Sequence, residues 1–584
     1  MNENLQRGSI YVNLLKFKYK NNVNETLLSL NIKIDSGEFI GLMGRTGAGK
    51  TTSLMLLNGL IPHFIEGDFE GDVITNTMNT KRYRIQTLAR FAGLVLQDPE
   101  TQIFGITLEN DVAFGPANLG FDRKKISDVV KNSLKAVGLE GYEKRITSEL
   151  SGGEKQRLAI AGVLAMEPEI LILDEPTSEL DPEGKFEIYN LLYNLNREKG
   201  VTIIISGHDS DEMLSYTDRI IVLENGMKVL DDNPKQLFKD VSLTQKLGLN
   251  PPETAIISNS LSKYCLINEN LTTLKNEELI SLVKNKFNGT KIKITSKNQS
   301  FTSPITPVII ETKNLTFSYQ EKMNVLSGIN LKIYAGEFVA LIGKNGAGKT
   351  TFSKHLNGLL RPKVGQVFIN SRNIYSTTTS QLSKEVGYVF QNPDHQIFSA
   401  SVYDEIEFGS KKMNLSETDK SQRISEALSQ VGLEGFQDRH PFTLGKGERQ
   451  KLAFATVLAM KPKILIIDEP TTGQDLDGIN KMMAMLKELY LSGYTIIMIT
   501  HNMDIAAKYA DRIIVFSNGK IVKDGPPNVV FYDFEILKSA SISPPLCASF
   551  ANQLRESGYK NYPVTSNEFI SDLIVQFDGE GNVN

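Results

Sequence analysis

The chain contains an internal duplication, which limits the folds that it can adopt. The stretch GRTGAGKTT at residues 44–52 returns as GKNGAGKTT at residues 343–351, an offset of 299 residues. Two later stretches recur at an offset of 294 residues, VLQDPETQIF as VFQNPDHQIF and AMEPEILILDEPT as AMKPKILIIDEPT. The first copy therefore holds about five extra residues around 62–72. Offsets this steady indicate two copies of one folded unit.

Short apolar runs within each copy predict the fold class. In the first copy ILIL, TIIIS and IIVL alternate with amphipathic segments. Strands without polar alternation suit a sheet that is covered on both faces, which is typical of a mostly parallel sheet between helices. We therefore predict two tandem α/β domains.

The repeat extends beyond these domains into two tails. LGLNPPETAIISNSL resembles ASISPPLCASFANQL, and NEELISLV resembles NEFISDLIV, so each copy is expected to carry a small, mostly helical appendage. Between the copies, a polar stretch that ends in prolines is typical of an exposed linker. We predict domains at 1–235 and 308–528, appendages at 236–287 and 529–584, and a linker at 288–307.

Composition and charge exclude several classes of protein. The net charge of −4 and the isoelectric point near 6.0 provide no electrostatic footprint for a nucleic-acid backbone, so we expect no nucleic-acid partner. Cys265 and Cys547 are too few for a metal site or a disulfide scaffold and are expected to be buried, in a reducing cytoplasm. The longest apolar runs are strand-sized, and the first residues lack a signal-peptide pattern. Contact with a membrane is therefore expected only through partners.

Each copy contains the phosphate-binding pattern G-x-x-x-x-G-K-T between an apolar strand and a helical segment. The glycines let backbone N–H groups surround the phosphates, the lysine reaches the terminal phosphates, and the threonine places its hydroxyl on Mg²⁺. The pattern predicts two P-loop sites for a phosphate group and Mg²⁺. The predicted phosphate-binding residues, which the family resemblance given below assigns to ATP, are Gly44, Arg45, Thr46, Gly47, Ala48, Gly49, Lys50, Thr51 and Thr52 in the first copy, and Gly343, Lys344, Asn345, Gly346, Ala347, Gly348, Lys349, Thr350 and Thr351 in the second.

A pair of acidic residues ends an apolar strand in each copy. Asp174 and Asp468 stand at the carboxyl edge of the strand, where a carboxylate can enter the Mg²⁺ shell. The residues that follow, Glu175 and Glu469, can polarise an attacking water. Beside a P-loop, this pair predicts a site that hydrolyses a phosphate bond.

Five motifs follow one another in the same order in each copy: a P-loop, a glutamine, SGGE or GKGE, DEPT, and a histidine after the next strand. This set resembles ATP-binding cassettes of the ABC family, fused in tandem over about residues 8–230 and 308–525. In that family two cassettes pair head to tail, so that each ATP lies between the P-loop of one and the signature segment of the other.

The resemblance assigns further roles. It implies that the glutamines sense the metal, the histidines contact the γ-phosphate, the tyrosines stack on adenine, and the signature residues bind ATP. Those residues are Gln97, His208, Tyr19, Ser151, Gly152, Gly153 and Glu154 in the first copy, and Gln391, His501, Tyr319, Gly445, Lys446, Gly447 and Glu448 in the second. The implied Mg²⁺ ligands are Thr51, Gln97 and Asp174, and Thr350, Gln391 and Asp468. The implied catalytic residues are the two glutamates together with these glutamines and histidines.

The stretches after the two glutamines narrow the resemblance. Asp98-Pro99 and Asn392-Pro393 each place a good N-cap before a proline, which predicts a short helix directly after the glutamine. QDPETQIF and QNPDHQIF, with ENDVAFGPANLGF and YDEIEFGSKKMNL, resemble the ATPases of energy-coupling-factor (ECF) importers, which bring vitamins and transition-metal ions into prokaryotic cells. The resemblance implies a peripheral protein on the cytoplasmic face of the cell membrane, bound to a transmembrane coupling subunit and a small membrane-embedded substrate-binding subunit. Thiamine or its pyrimidine precursor, another vitamin, cobalt and nickel all remain open as cargo.

Two other functions fit parts of the sequence. One is the fused ATPase of a sugar ABC importer, a class that also pairs a sound site with a degenerate one. The other is a soluble tandem-cassette translation factor acting on ribosomes. That class is expected to carry a long, charged linker helix and a basic surface, whereas the linker here is poor in charge and the chain is acidic.

The two signature segments differ. SGGE in the first copy is a capping box at a helix start, whereas the second copy has Gly445 and Lys446 at the first two positions. Replacing a serine cap by glycine costs only a few tenths of a kcal/mol, so stability does not explain the change. By the family resemblance the serine hydroxyl faces the γ-phosphate, and Lys446 either crowds that approach or supplies its ammonium charge instead. We predict that the site of Lys50, facing GKGE, hydrolyses slowly, and that the site of Lys349, facing SGGE, carries turnover.

Overall fold

The structure of the protein is a computed structural model that describes most of the chain. The described residues are 6–20, 24–178, 180–264, 266–267, 272–287, 306–319, 324–411, 413 and 415–577. Cys265 and nearly all of the predicted linker lie outside these ranges. The described residues form two compact units, one within 1–256 and 473–476 and the other within 257–472 and 477–584. Each unit contains one copy of the repeat.

The first copy consists of a central, mostly parallel sheet and a smaller antiparallel sheet. Its strands are β1 (Ile10–Tyr19), β2 (Leu30–Ile34), β3 (Phe39–Gly44), β4 (Gly67–Thr75), β5 (Met78–Asn79), β6 (Ala92–Val95), β7 (Ile170–Leu173), β8 (Thr202–Ser206), β9 (Arg219–Glu224) and β10 (Met227–Asp232). The central sheet has the order β10-β9-β3-β8-β7-β6, in which β10 alone runs antiparallel to its neighbour. The second sheet has the order β2-β1-β4-β5. All residues of β7 and β8 are buried, which explains their apolar sequences.

The helices of the first copy follow its central strands. They are α1 (Lys50–Leu57), α2 (Leu60–His63), α3 (Ile85–Ala89), α4 (Leu108–Asn118), α5 (Arg123–Ala136), α6 (Gly152–Leu164), α7 (Pro182–Lys199) and α8 (Ser210–Tyr216). Because β3, β8 and β7 are parallel neighbours, their carboxyl ends meet at one edge of the sheet. The P-loop, Asp174, Glu175 and His208 all follow these ends.

The second copy repeats this architecture. Its strands are β11 (Val308–Phe317), β12 (Leu326–Tyr334), β13 (Phe338–Ile342), β14 (Val364–Ile369), β15 (Arg372–Asn373), β16 (Val386–Val389), β17 (Ile464–Asp468), β18 (Thr495–Ile499), β19 (Arg512–Ser517) and β20 (Lys520–Gly525). Its helices are α13 (Lys349–Leu356), α14 (Thr379–Leu382), α15 (Val402–Ser410), α16 (Glu417–Val431), α17 (Lys446–Leu458), α18 (Leu476–Leu491) and α19 (Met503–Tyr509). The sheets have the orders β16-β17-β18-β13-β19-β20 and β12-β11-β14-β15. The prediction of two tandem α/β domains is confirmed.

Helix α1 is fixed by the core of the first copy. Phe17 of the antiparallel sheet, Leu54 of α1 and Ile172 of the central sheet belong to one buried cluster, and each is fully buried. Full burial of such a side chain contributes about 1.5–3 kcal/mol. The P-loop at the start of α1 is therefore anchored on its helical side by both sheets.

Helices also follow each central sheet toward the carboxyl side. They are α9 (Pro234–Lys239), α10 (Val241–Lys246), α11 (Glu253–Lys263) and α12 (Asn276–Phe287) after the first, and α20 (Pro527–Val530), α21 (Phe534–Ser539), α22 (Leu546–Gln553) and α23 (Ser566–Phe577) after the second. Side chains of α11, α12, α22 and α23 share one buried cluster. Cys547 is fully buried in it, as the sequence predicts. Among the described residues, no helix combines the length and the apolar character that crossing a bilayer requires.

Candidate functional site

Each P-loop begins at a glycine that lies against a neighbouring strand. Gly44 has a φ of 145°, and a Cβ placed there would lie 2.2 Å from the backbone oxygen of Leu223 on β9. Gly343 has a φ of 154°, and its Cβ would lie 2.4 Å from the backbone oxygen of Phe516 on β19. Any larger residue would push the loop away from the sheet. The close approach of β9 or β19 therefore fixes where each loop starts.

The lysine of each loop is buried and bonded to the backbone of the loop itself. Lys50 Nζ donates to the carbonyl oxygens of Gly44 at 2.9 Å and of Arg45 at 3.3 Å. Lys349 Nζ donates to the carbonyls at the same two positions of its own loop, at 2.6 and 3.1 Å. Both lysines are only 6% exposed. The loop therefore wraps around its own positive charge.

These loops fit a phosphate group. A Cβ on Gly47 or Gly346 would meet no atom within 4 Å, so the middle of each loop borders open space. The loops lead directly into the first turns of α1 and α13, where backbone N–H groups have no partner inside the helix and favour anions. An anion at this position would also meet the enclosed lysine.

A hydroxyl and a carboxylate meet next to each lysine. Thr51 Oγ1 donates to Asp174 Oδ2 at 2.6 Å, and Thr350 Oγ1 donates to Asp468 Oδ2 at 3.0 Å. Burial raises the pKa of both aspartates. Carboxylate, hydroxyl and phosphate oxygens are the donors that Mg²⁺ prefers. The residues present therefore fit a magnesium ion at the place that the sequence predicts.

Each aspartate also contacts a second hydroxyl that the sequence did not reveal. Ser206 Oγ donates to Asp174 Oδ1 at 2.6 Å and accepts from the backbone N–H of Glu175 at 2.9 Å. In the second copy the hydroxyl of Tyr388 donates to Asp468 Oδ2 at 3.2 Å. The available signal was a hydroxyl-bearing residue next to apolar ones, the final serine of TIIIS and the tyrosine of VGYV.

Glu175 contacts side chains that lie far apart in the sequence. Gln97 Nε2 donates to Glu175 Oε2 at 2.8 Å, and His208 Nε2 lies 3.2 Å from Glu175 Oε1. Lys50 Nζ lies 3.5 Å from the same nitrogen of His208. Burial lowers the pKa of Lys50, and the charges of Glu175 and Asp174 oppose that effect. The first copy thus brings its predicted lysine, glutamine, glutamate and histidine into one cluster.

The second copy assembles part of the same cluster. His501 Nε2 lies 3.3 Å from Glu469 Oε1, and the backbone N–H of His501 donates to Glu469 Oε2 at 3.3 Å. Gln391 is exposed to solvent. Both glutamates have a left-handed backbone, with φ of 46° at Glu175 and 50° at Glu469. Such a conformation costs about 1–2 kcal/mol in a non-glycine residue, so the surrounding fold must hold it in place.

The tyrosines assigned to adenine lie beside the first turns of α1 and α13. The Tyr19 hydroxyl is 2.8 Å from Thr52 Oγ1, and burial raises the pKa of Tyr19. The Tyr319 hydroxyl is 3.3 Å from Thr351 Oγ1, and its side chain is 59% exposed. Each ring packs edge-on against the phenylalanine two residues earlier. Contact with adenine stays a prediction for both.

A short helix follows each glutamine, as the sequence predicts. The two are three-residue 3₁₀ helices, Pro99–Thr101 and Pro393–His395. The side chains of Asp98 and Asn392 accept the backbone N–H two residues further on, at 2.9 and 3.0 Å. The N-cap and the proline therefore act as expected in both copies.

The signature segments begin α6 and α17 with different caps. Ser151 Oγ accepts from the N–H of Glu154 at 3.3 Å, and Glu154 Oε2 accepts from the N–H of Ser151 at 2.8 Å, so the predicted capping box is confirmed. In the second copy Glu448 Oε2 still accepts from the N–H of Gly445, at 2.9 Å. Lys446 is the first residue of α17. The change from serine to glycine thus removes one half of the box and retains the other.

We expect Ser151→Ala to destabilise the first turn of α6 by about 1 kcal/mol, because alanine leaves the N–H of Glu154 without its acceptor. Ser151→Gly should cost only a few tenths of a kcal/mol. Amide hydrogen exchange of this turn should be about fivefold faster in the alanine variant. Ser151→Gly is the matched control, because it removes the same hydroxyl but leaves a residue that is favoured over alanine at an N-cap. Unchanged exchange in Ser151→Ala would contradict the capping role.

Comparisons with known proteins assign the family. The family model described as ABC transporter matches residues 27–178 and 326–472. A protein of Caldanaerobacter subterraneus subsp. tengcongensis, provisionally named an ABC transporter ATP-binding protein, is 41% identical over 94% of this chain and 97% of its own length. A similarly named protein of Methanosarcina mazei is 39% identical over 93% of each chain.

Among solved structures, cbiO1 from Clostridium perfringens, described as part of the ABC transporter complex cbiONQ, is 38% identical to this chain. The match covers 40% of this chain and 93% of that one, with a TM-score of 0.37. The family model and the relatives together cover both copies of the repeat. The chain therefore belongs to the ATP-binding proteins of ABC transporters and carries two ATPase cassettes that bind ATP with Mg²⁺.

Proposed function

We propose that this chain is the ATPase subunit of an ECF-type importer of a vitamin or a transition-metal ion. Its partners in this proposal are a transmembrane coupling subunit and a small membrane-embedded protein that chooses the cargo. The chain then lies on the cytoplasmic face of the membrane and contacts it through these partners. Support comes from the resemblance of QDPETQIF and QNPDHQIF, with the segments after them, to ATPases of this class.

The observation that carries the proposal is a pair of exposed aromatic side chains after each glutamine. Phe104 is 74% exposed and Phe114 is 57% exposed, with ring centroids 6.0 Å apart. In the second cassette Phe398 is 62% exposed and Phe408 is 51% exposed, with centroids 4.7 Å apart. Clustered exposed aromatic side chains mark binding surfaces. We call these four residues the docking aromatics, and they suit the apolar face of a helix from the coupling subunit.

A buried carboxylate holds the loop of the first phenylalanine of each pair in place. Asp111 Oδ1 accepts from the backbone N–H groups of Phe104 and Gly105, both at 2.8 Å. Glu405 Oε2 accepts from the two corresponding N–H groups of the second cassette, at 3.0 and 2.8 Å. Burial raises the pKa of Asp111, and these two hydrogen bonds oppose that effect. Phe104 and Phe398 thus stand on loops of defined geometry, which favours a specific partner.

An ion pair joins each short helix after the glutamine to the helix of its own signature segment. Lys155 of α6 pairs with Glu100. Arg449 of α17 pairs with both carboxylate oxygens of Asp394, at 2.6 and 3.1 Å. A partner that displaces the docking aromatics therefore pulls on the start of α6 or α17. This connection supports the transmission of movement between a membrane subunit and the ATP sites.

The proposed cycle uses the clusters described above. The P-loop lysines hold the phosphates of ATP, and Glu175 and Glu469 orient the attacking water and accept its proton. His208 and His501 contact the γ-phosphate. Mg²⁺, which Thr51 with Asp174 and Thr350 with Asp468 would hold, would neutralise charge on the bound phosphates. ATP binding closes the cassettes, closure moves the docking aromatics with the coupling subunit, and hydrolysis resets the transporter.

The two ATP sites are unequal in this proposal. The head-to-tail pairing of the family sets the P-loop of Lys50 opposite GKGE and the P-loop of Lys349 opposite SGGE. The second of these sites turns over, whereas the first mainly holds ATP. The loss of a hydroxyl at Gly445, in a segment whose helix cap is otherwise half retained, supports this difference.

Affinity purification of the chain from detergent-solubilised native membranes, followed by mass spectrometry, tests the proposal. One multi-span subunit together with one small membrane-embedded protein is the expected result, and the molecule bound to the small protein identifies the cargo. A sugar-binding protein with other membrane subunits would instead indicate a sugar importer. Ribosomes, or the chain alone in the soluble fraction, would overturn the importer proposal and favour a translation factor.

Charge on the docking aromatics should release the membrane partner. We expect Phe104→Asp with Phe398→Asp to lower recovery of the coupling subunit about 30-fold, because a central aromatic contact is worth about 2 kcal/mol or more. ATP binding by the chain alone should persist. The matched control is Phe186→Asp, since Phe186 is also 62% exposed but lies on α7. Full recovery in the double variant, or equal loss in the control, would contradict the docking role.

A further inference from the structure

The two cassettes hold their metal-site aspartates with different hydroxyl groups. In the first cassette Asp174 accepts one hydroxyl at each oxygen, Thr51 at Oδ2 and Ser206 at Oδ1, both at 2.6 Å. Ser206 is 1% exposed and ends β8. The residue at the same place in the second cassette is Ile499, which ends β18 and packs in the core. The serine contact is therefore specific to the first cassette.

The second cassette supplies its hydroxyl from another strand. Tyr388 on β16 donates to Asp468 Oδ2 at 3.2 Å, and Ser353 Oγ lies 3.0 Å from the Tyr388 hydroxyl. The residues at these two places in the first cassette are Leu94 and Leu54, and both pack in its core. At the end of β8 the first cassette thus has a serine where the second has an isoleucine. On β16 and α13 the second cassette has a tyrosine and a serine where the first has leucines.

Core packing alone does not explain why each cassette has a hydroxyl where the other has an aliphatic side chain. A hydroxyl costs free energy when it is buried, unless it finds a hydrogen-bond partner. Each cassette nevertheless buries a hydroxyl beside its aspartate, and each fills the alternative position with leucine or isoleucine. What the two arrangements share is one donor to the carboxylate in addition to the P-loop threonine. Groups that hold a metal-binding carboxylate tune its affinity for the metal.

We propose that Ser206 and Tyr388 are positioning residues for the Mg²⁺ sites, which orient the carboxylates of Asp174 and Asp468 from two different strands. This role concerns the ATP sites themselves and does not depend on which transporter the chain serves. Ser206 stands two residues before His208 and also accepts the N–H of Glu175, so it ties the first carboxylate to the strand of the histidine. Tyr388 stands three residues before Gln391 and ties the second carboxylate to the strand of the glutamine.

Mn²⁺ binding in the presence of ADP, measured on the full chain by electron paramagnetic resonance, tests this role without turnover. Each site is measured alone, with Lys349→Ala silencing one P-loop or Lys50→Ala the other. Ser206→Ala and Tyr388→Phe should each raise the half-saturating Mn²⁺ concentration of their own site about 10- to 100-fold. ADP binding in the presence of a metal chelator should stay unchanged. The control is Thr75→Val, which removes a buried hydroxyl bonded to a backbone carbonyl 2.6 Å away.

Building the hydroxyl arrangement of the second cassette into the first distinguishes a role in positioning Asp174 from a role in core packing. Ser206→Ile alone should weaken Mn²⁺ binding, and Ser206→Ile with Leu94→Tyr and Leu54→Ser should restore most of it. Unchanged Mn²⁺ affinity in both Ser206→Ala and Tyr388→Phe would overturn the proposal. So would an equal loss of ADP binding without metal, because that result indicates a general disturbance of the site.

Discussion

We expect Glu469→Gln to abolish ATP hydrolysis by the assembled transporter and Glu175→Gln to leave much of it. Loss of a general base typically lowers the rate about 100- to 10,000-fold. Glutamine keeps the shape of glutamate, so the left-handed turn at residue 469, with φ of 50°, should survive. What is lost is the negative charge next to His501. The strong effect is expected at Glu469 alone, because the proposed pairing sets its P-loop opposite SGGE.

Phosphate release by the purified transporter in lipid vesicles, at saturating ATP and Mg²⁺, measures this difference. ATP binding is the control, since both P-loop lysines remain in place in either variant. An equal loss of hydrolysis in Glu175→Gln and Glu469→Gln would show that both sites contribute alike. The asymmetry would then have to be abandoned, whereas the assignment of the two glutamates as bases would stand.

Exchanging the residues that differ between SGGE and GKGE should lower ATP hydrolysis at one site and raise it at the other. We expect Ser151→Gly with Gly152→Lys to lower turnover about 100- to 1,000-fold, because one donor aimed at developing negative charge is typically worth that much. The reverse exchange, Gly445→Ser with Lys446→Gly, should raise hydrolysis at the weaker site. Helix capping does not account for such effects, since glycine in place of a serine cap costs only a few tenths of a kcal/mol.

The same exchange decides how Lys446 acts. If its ammonium group replaces the missing hydroxyl, Ser151→Gly with Gly152→Lys leaves the rate nearly unchanged, and the GKGE-facing site hydrolyses as well as the other. If its side chain crowds the γ-phosphate, the single variant Lys446→Gly should already raise activity.

Much of the fold could be predicted because the duplication presents each pattern twice. The apolar runs ILIL and TIIIS became the buried parallel strands β7 and β8. The P-loop pattern marked the turn at Gly44, where the approach of Leu223 leaves room for glycine only. N-caps and the capping box were also predictable, since they depend on residues two or three positions apart.

The two P-loop cassettes, the strands that carry their acids, and the helix starts could all be predicted from the sequence, because they depend on local pattern and short-range hydrogen bonds. Which hydroxyl reaches each aspartate depends instead on contacts between strands. Leu173 pairs with Ile205 across β7 and β8, so Asp174 and Ser206 come next to each other only through strand order and register. The hydrogen bond from the backbone N–H of Phe104 to Asp111 likewise depends on how α4 packs. Contacts of this kind join residues that no local pattern relates.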